Sequence, residues 1–422
     1  MINIELQIKS QKGFTVNEWR TLTIGEFCPF YYGKALTQPE RKKGNIPVVS
    51  SAGITGFHNK ALVDSSGIII GRKGTVGNTT LCDEPFWAID TAFYILDDPQ
   101  KRDLYFTYYL LKNLDFSAMN SDSAVPGLNR DHAHAMLVKV PSIKEQKKIA
   151  NILRIFDLRI ELLKQTNTTL ESIAQALFKS WFIDFDPVHA KAEGREPEGM
   201  DAETAALFPD GFEETDLGLV PKGWGEKAVY DIATYINGAS YRSFEPNDER
   251  RGLPIIKIAE LKSGVTTQTR YSSVNMPDKY KINYEDILFS WSGNPDTSID
   301  TFIWSQGAAW LNQHIFRVLP HSNQERSFVF MTLRYLKPVF AEIARNKQTT
   351  GLGHVTIADL KRLKIVTPPS TILDKWNAVV TPILDQAFIM DCRSKILSHL
   401  RDTLLPRLIS GQLIPNKVGE MA

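Results

Sequence analysis

Ile149, Leu153, Phe156, Ile160, Leu163, Asn167, Leu170, Ala174, Leu177 and Trp181 follow one another at alternating steps of four and three residues. Only a helix keeps such a set on one face, so the stretch Pro141–Phe182 predicts one long helix with a heptad seam and a single polar member, Asn167. Shifted by about 227 residues the seam returns as Trp376, Val380, Ile383, Ala387, Met390, Ser394, Leu397, Arg401, Leu404 and Leu408. Ser394 falls where Asn167 falls, and a polar residue at one seam position fixes register at some cost in stability. At 1.5 Å per residue each helix is ~60 Å long. Two such seams in one chain most simply cover each other as an antiparallel pair. That arrangement would carry an α/β domain at each end, related by a pseudo-two-fold axis. Ser142 and Glu145 predict a capping box at the first helix start, and Thr371 with Asp374 the matching cap. Pro382 lies inside the second seam and predicts a kink or a restart there, with Thr381 as N-cap.

The repeat extends beyond the helices. "NEWRTLTIGEF" (Asn17 to Phe27) resembles "KGWGEKAVYDIA" (Lys222 to Ala233), and "GIIIGRKGTVG" (Gly67 to Gly77) resembles "EDILFSWSGNP" (Glu285 to Pro295). "DTAFYIL" (Asp90 to Leu96) resembles "NQHIFRVL" (Asn312 to Leu319), and "VPGLNRDHAHAMLVKVPS" (Val125 to Ser142) resembles "TGLGHVTIADLKRLKIVTPPS" (Thr350 to Ser370). The expected fold class is α+β, with two pseudo-symmetric α/β domains joined by two long antiparallel helices. The expected boundaries are 1–140 for the first domain, 141–183 for the first helix, 184–217 for an acidic linker, 218–369 for the second domain, 370–413 for the second helix and 414–422 for a tail.

"GIIIGRKGTVGNTT" (Gly67 to Thr80) invites reading as a phosphate loop. A Walker loop needs Gly-x-x-x-x-Gly-Lys-Ser/Thr. Here Val76 stands five after Gly71, and Asn78 stands where the Lys would follow Gly77. A dinucleotide loop needs Gly-x-Gly-x-x-Gly opening a helix, whereas Gly71, Gly74 and Gly77 are spaced by threes and run into a β-like segment. In the repeat partner Trp291 and Ser292 replace Arg72 and Lys73. A shared scaffold with different tips tolerates that exchange, and a shared phosphate site does not. Asn294-Pro295-Asp296 only loosely matches the Asn-Pro-Pro-aromatic motif of amino-methyltransferases, and no Gly-rich cofactor motif accompanies it. Glu145-Gln146-Lys147 has nuclease-like Glu-x-Lys spacing but belongs to a solvated helix face. The His residues, His132 and His134 included, show no paired metal spacing. No catalytic and no metal-binding residue is therefore expected.

Charge adds one asymmetry. The net charge of +1 conceals a segment, Asp184 to Asp216, with eleven acidic residues against two basic ones, so the remainder carries +10 (1 + 9). A modest positive field is compatible with nucleic acid, and equally with a solvated surface. No apolar run approaches the ~20 residues of a membrane span. Three widely spaced cysteines, Cys28, Cys82 and Cys392, give no disulfide framework and fit a reducing, cytoplasmic location.

Together these features resemble the specificity subunit of a type I restriction–modification system. The resemblance covers nearly the whole chain. It rests on "PSIKEQKKIANIL", "LESIAQALFKSWF" and "LRDTLLPRLISGQL", similar to that family's spacer helices, and on "GIIIGRKGTVG" and "SSAGITGFH" (Ser50 to His58), similar to its target recognition domains. "FIDFDPVHAKAEGREPEGM" is also similar to a segment of such subunits. The resemblance implies a non-catalytic subunit in which each recognition domain reads one half of a bipartite, asymmetric DNA target. It implies that the helices set the spacer and dock two methyltransferase (modification) subunits, and that restriction subunits join them. S-adenosylmethionine, ATP and Mg²⁺ would then act on partner subunits, with no cofactor in this chain and no membrane partner.

Base readout needs Arg, Lys, Asn, Gln, Ser or Thr in reach of a groove, and phosphate contact needs Lys, Arg or backbone N–H. In the first domain the candidates in Gly-rich turns are Lys34, Ser51, Arg72, Lys73, Thr75, Asn78, Asn129 and Arg130. In the second they are Tyr241, Arg242, Trp291, Ser292, Asn294, Gln313, His314, Lys347, Thr349 and His354, with "RNKQTTGLGH" the richest loop. Arg41, Lys42 and Lys43 are candidates for phosphate alone. Two other readings stay open: a stand-alone DNA-binding or regulatory protein on this scaffold, and an α/β enzyme with a coiled-coil arm. Against the first, Leu162, Ile173, Phe178, Phe182 and Leu405 are more apolar surface than a two-helix pair buries, which suggests partners. Missing cofactor and acid–base motifs argue against the second.

Overall fold

The computed structural model describes residues 19–116, 127–348 and 352–413. It divides into two compact units, Met1–Glu161 with Lys395–Ala422, and Leu162–Ser394.

In the first unit the run Gly67–Gly71 is a strand with every residue buried, as an unbroken apolar run at the middle of a sheet should be. It lies between Ala92–Leu96 and Thr79–Cys82, and Tyr31–Tyr32 adds the outer strand beside Ala92–Leu96; all these pairings are antiparallel. A second sheet orders Gly53–His58, Ile46–Ser50 and Trp87–Ala88, the last pair parallel. Arg20–Thr23 pairs with Leu137–Val140, which follows the helix Arg130–Ala135. The stretch Gly67–Thr80 is a β-hairpin with Gly74 and Gly77 both at φ 78° in its turn, and the following segment is the strand Thr79–Cys82. The segment after the loop is thus a strand and not the helix that a dinucleotide loop opens.

The second unit repeats this plan. Ile287–Ser290, also wholly buried, lies between Ile315–Pro320 and Asp300–Ile303, with Ala233–Asn237 outermost. Tyr271–Ser272, Leu253–Ile256, Ala309–Leu311 and Lys281–Ile282 form the second sheet, and Leu253–Ile256 again runs parallel to its partner Ala309–Leu311. Gly225–Ala228 pairs with Lys364–Thr367, which follows the helix Ile357–Arg362. Gly33 and Gly238 occupy the same place in the two halves. A Cβ at Gly33 would meet the Ile89 carbonyl oxygen at 2.0 Å, and at Gly238 the Asn312 oxygen at 2.2 Å. The tandem repeat read from the sequence is therefore a repeat of backbone.

Both helices span 40 residues, Ile143–Phe182 and Ser370–Ile409. Each contributes to both units. In the first unit the start of the first helix packs on the end of the second: Ile149, Ala150 and Leu153 share a core with Leu404, Leu405, Leu408 and Ile409. Arg401, the charged seam position, pairs with Asp157, whose other oxygen accepts from the Tyr109 hydroxyl at 2.6 Å. In the second unit the end of the first helix meets the start of the second, again antiparallel. The Trp376 ring lies 4.8 Å from Phe182, 5.7 Å from Trp181 and 5.9 Å from Phe178. Such aromatic pairs contribute ~0.5–1.5 kcal/mol each beyond their buried area. The seam follows the expected period throughout. Leu153, Ile160 and Leu163 are buried on the first helix, Ala387 and Ser394 on the second, and Phe156, Leu170, Ile383, Met390, Leu397 and Leu404 are half-buried. Asn167 Nδ2 donates to Glu171 on its own helix at 2.9 Å, and its Oδ1 is buried without a hydrogen-bond partner.

Four details differ from the sequence expectation. The second helix begins at Ser370, and the Pro369 carbonyl accepts from Ile372 and Leu373, so Thr371 is inside the helix. Asp374 accepts from Gln324. The helix also continues through Pro382 without a restart. Thr381 Oγ1 turns back toward Asn377, and buried Val380 and Ala387 hold the turns on both sides. At the first helix the Ser142 hydroxyl accepts from the Glu145 amide at 3.4 Å, while the Glu145 carboxylate goes to Lys148. Finally, Phe178 and Phe182 are covered within the chain, by Phe328, Trp376 and the linker, and Leu405 joins the first core. Leu162 and Ile173 remain exposed.

The acidic linker is folded. It forms the helices Asp186–Ala192 and Ala202–Leu207 and a hairpin, Phe212–Thr215 with Gly218–Pro221. Val188 and Phe208 carry it onto the aromatic core around Trp376 and Trp224. The expected boundary at 217/218 therefore falls inside a hairpin turn.

Candidate nucleic-acid interface

Arg72 directly follows the buried strand Gly67–Gly71, and its backbone is pinned on both sides. Its N–H donates to the Thr91 carbonyl at 2.9 Å, and its carbonyl accepts from Leu128 at 2.8 Å. Its guanidinium carbon lies 4.9 Å from the centre of the Tyr32 ring and 5.7 Å from Phe93, and Nη1 donates to the Asp90 carbonyl at 3.3 Å. Arg130 lies over the same Tyr32 ring, also at 4.9 Å. Tyr32 is about half exposed, and Tyr31 stacks on Tyr94 at 5.5 Å. The exposed Lys73 bridges to Gly127, and exposed Lys34 supplies its carbonyl to Trp87 Nε1. Arg72, Lys73 and Arg130 are thus brought to one basic, aromatic surface.

Other candidates in this unit have local duties. Ser51 is buried, and its carbonyl accepts from Asn78 Nδ2 at 2.9 Å, which fastens the hairpin to the neighbouring strand. Asn129 caps the helix Arg130–Ala135 by accepting from the amides of Asp131 and His132. Thr75 is exposed at the hairpin tip. Arg41 donates to the Thr55 carbonyl at 2.9 Å, while Lys42 and Lys43 are exposed beside it. His134 is half-buried and accepts from the Phe30 amide at 2.8 Å, one residue before the Tyr31–Tyr32 strand. Burial, then the nearby Arg130, holds its pKa below the usual imidazole value.

The second unit builds a different tip on the same positions. The Trp291 N–H donates to the His314 carbonyl at 3.3 Å and its carbonyl accepts from Val355 at 2.8 Å, the bonds that pin Arg72 in the first unit. Trp291 therefore stands for Arg72, Ser292 for Lys73, and Asn237, beside Gly238, for Tyr32. Here the side-chain contact is a hydrogen bond from Trp291 Nε1 to Asn237 Oδ1 at 3.1 Å. The Trp291 and His314 rings are 5.6 Å apart, Ser292 pairs with His354, and Gln313 Oε1 accepts from the Tyr241 amide at 2.9 Å. Lys257, which the sequence reading missed, sits 5.0 Å from the Tyr241 ring. Arg242 is exposed nearby.

Two candidates here are engaged in the fold. Asn294 Oδ1 accepts from the amides of Asp296 and Thr297, closing a turn. Lys347 pairs with Asp359, which is 1% exposed and also caps the helix Ile357–Arg362. Burial opposes ionisation of Asp359, but hydrogen bonds from Lys347, Thr356 and Arg362 outweigh it and hold the carboxyl well below the usual range. Thr349 lies outside the described residues. Among the described residues there is no group of three or more His, Cys, Asp or Glu placed to hold a metal, and no helix long and apolar enough to cross a membrane.

Tyr32 and Asn237 were also missed from sequence. The signal was available in the aligned glycines, since "YYGK" and "YING" place both residues directly before Gly33 and Gly238.

Residues 17–172 and 221–386 each match the family described as type I restriction modification DNA specificity domain. The chain belongs to that family and carries its domain twice. It is 28% identical over 341 residues to the type I restriction enzyme HindI specificity subunit of Haemophilus influenzae, covering 70% of this chain and 73% of that one. It is 29% identical over 316 residues to the MjaIX specificity subunit of Methanocaldococcus jannaschii, covering 73% of this chain and 68% of that one. The crystal structure of the S subunit of a type I restriction–modification system from M. genitalium superposes with a TM-score of 0.59 at 17% identity, over 96% of this chain and 99% of the other. The fold is thus that of an S subunit, with helices and sheets in each unit and two long helices.

Proposed function

We propose that this chain is the non-catalytic DNA reader of its restriction–modification complex, each domain reading one half of a bipartite, asymmetric target. The observation that carries this is the pairing of identical backbone frames with different tips, Arg72 and Tyr32 in one half, Trp291 and Asn237 in the other. A symmetric homodimer would read two identical halves, whereas a tandem repeat whose tips have diverged reads two different ones. The long helices set the number of unread base pairs and dock two methyltransferase subunits. Ile155 and Leu158 in the first unit, and Leu162 and Ile173 in the second, are exposed apolar residues on the first helix available for such docking. Methyl transfer from S-adenosylmethionine, and ATP- and Mg²⁺-dependent restriction, belong to those partner subunits.

The test is co-expression with its modification subunit, followed by single-molecule sequencing of host DNA for methyladenine. A bipartite motif with a fixed spacer is expected, and the chain alone should leave DNA unmodified. Unmodified DNA despite a stable purified complex would instead support a stand-alone DNA-binding protein.

A further inference from the structure

Resting on the half-site reading above, we infer that the half read by the first domain contains a guanine, recognised by the Arg72 guanidinium, with Tyr32 as its positioning residue. Arg72 has the two properties such a contact needs. Its backbone is fixed by the Thr91 and Leu128 hydrogen bonds at the end of a fully buried strand. Its side chain is held by Tyr32 at 4.9 Å, by Phe93 at 5.7 Å and by the Asp90 carbonyl. A free arginine gives up much rotamer freedom on docking, and one already laid against aromatic rings has given up part of it beforehand.

A planar fork fits phosphate as well as guanine, and it is the fixed backbone and ring contacts of Arg72 that favour a base edge, because a phosphate contact needs no such fixing. Phosphate contact can be left to the point charges of Lys73 and Lys34, which are exposed nearby. Guanine presents two acceptors, O6 and N7, in the major groove, and a guanidinium takes both at once. Arg130 shares the Tyr32 ring, so the two guanidinium carbons are at most 9.8 Å apart (4.9 + 4.9). That concentration of positive charge draws the DNA backbone in while Arg72 reads. At the equivalent position the second domain carries Trp291, hydrogen-bonded to Asn237, and offers no such fork.

The experiment uses the full chain in complex with its modification subunit, after the motif has been mapped by methylation sequencing. Binding is measured on duplexes in which each guanine of the motif is replaced in turn by 7-deazaguanine, which lacks the N7 acceptor. One position, in one half only, should weaken wild-type binding by roughly 5- to 150-fold. Arg72→Ala should lose at least that much on the normal duplex and clearly less on the modified one, which keeps only the O6 acceptor. Arg72→Lys should fail to restore it, Tyr32→Phe should keep it, and Tyr32→Ala should lose roughly 2- to 5-fold. Tyr32 is about half exposed and Arg72 partly so, and folding of each variant is confirmed by an unchanged melting curve. A motif with guanine in neither half overturns the inference. So does Arg72→Ala weakening every duplex equally with a salt slope reduced by about one, the signature of a phosphate clamp. Failure of the half-site reading itself shows separately, as a methylation map with no bipartite motif.

Discussion

Asp359→Asn should destabilise the second unit strongly near neutral pH and much less in acid. The carboxylate accepts from the Thr356 amide at 2.8 Å and the Thr356 hydroxyl at 2.6 Å, and it pairs with Lys347 and Arg362. The Arg362 side chain is 73% exposed, so that pair contributes little. Two hydrogen bonds to a buried charge at ~1.5–3 kcal/mol each, less what the remaining amide oxygen of Asn recovers, give a loss of roughly 2–4 kcal/mol. The sign with pH follows from the lowered pKa. A folded pKa below the unfolded value of about 4 means the stabilisation is complete above pH ~4 and drains away as pH falls toward the folded pKa. Urea unfolding followed by tryptophan fluorescence reads this unit well, because Trp181, Trp224, Trp291, Trp304, Trp310 and Trp376 all lie in it. A loss under ~1 kcal/mol at pH 7, or a gap between wild type and variant that stays constant down to pH 3, would refute the reasoning.

Arg401→Ala removes the partner of Asp157 in the first unit and should cost about 1–3 kcal/mol, visible as a lower melting temperature; an unchanged melting curve would show the network of Tyr109, Asp157 and Arg401 to be dispensable. His134 must be neutral to accept from Phe30, and its folded pKa is lowered, so the first unit should lose stability as pH falls below ~6.5 until the folded value is reached. His134→Gln should flatten that part of the profile, and an unaltered profile would assign it to other groups. Seven residues inserted beside Asn167, with seven more beside Ser394, lengthen each helix by ~10.5 Å. The methylated spacer should then grow by about three base pairs at ~3.4 Å each, and an unchanged spacer would end the ruler idea.

The helices were the most legible feature because a heptad seam is local, periodic and repeated. Every residue from Ile149 to Trp181 on that list is buried or half-buried as its period demands. Their ends were less legible. Thr371 was expected to cap the second helix, and only the Pro369 carbonyl, accepting from Ile372 and Leu373, shows that the first turn begins earlier. Pro382 looked like a break because the rule counts the hydrogen bond it removes and the clash it causes. It does not count the tertiary burial of Val380 and Ala387 that keeps the neighbouring turns in place. Phe178 and Phe182 looked like partner-docking residues for a similar reason, since the linker that covers them reads from its charge as a solvated strip. Its buried apolar residues Val188 and Phe208 carry the packing, against Trp224 and Trp376.

The interface divides along another line. Arg72, Lys73, Asn129 and Arg130 could be named from the Gly-rich stretches that hold them, but Tyr32 was not among the candidates, and Lys347 was one although Asp359 stands opposite it. Single-sequence chemistry identifies side chains able to touch DNA and cannot tell which have been spent inside the fold. The internal repeat supplies part of what is missing. Where both halves conserve a backbone bond, as at Arg72 and Trp291, the frame is structural and must be kept. Where the side chains on that frame differ, packing has not dictated the choice, since each half folds with its own. Positions 32 and 237, 72 and 291, and 73 and 292 meet both conditions. They are accordingly the positions at which exchange between the halves should transfer specificity without disturbing the fold.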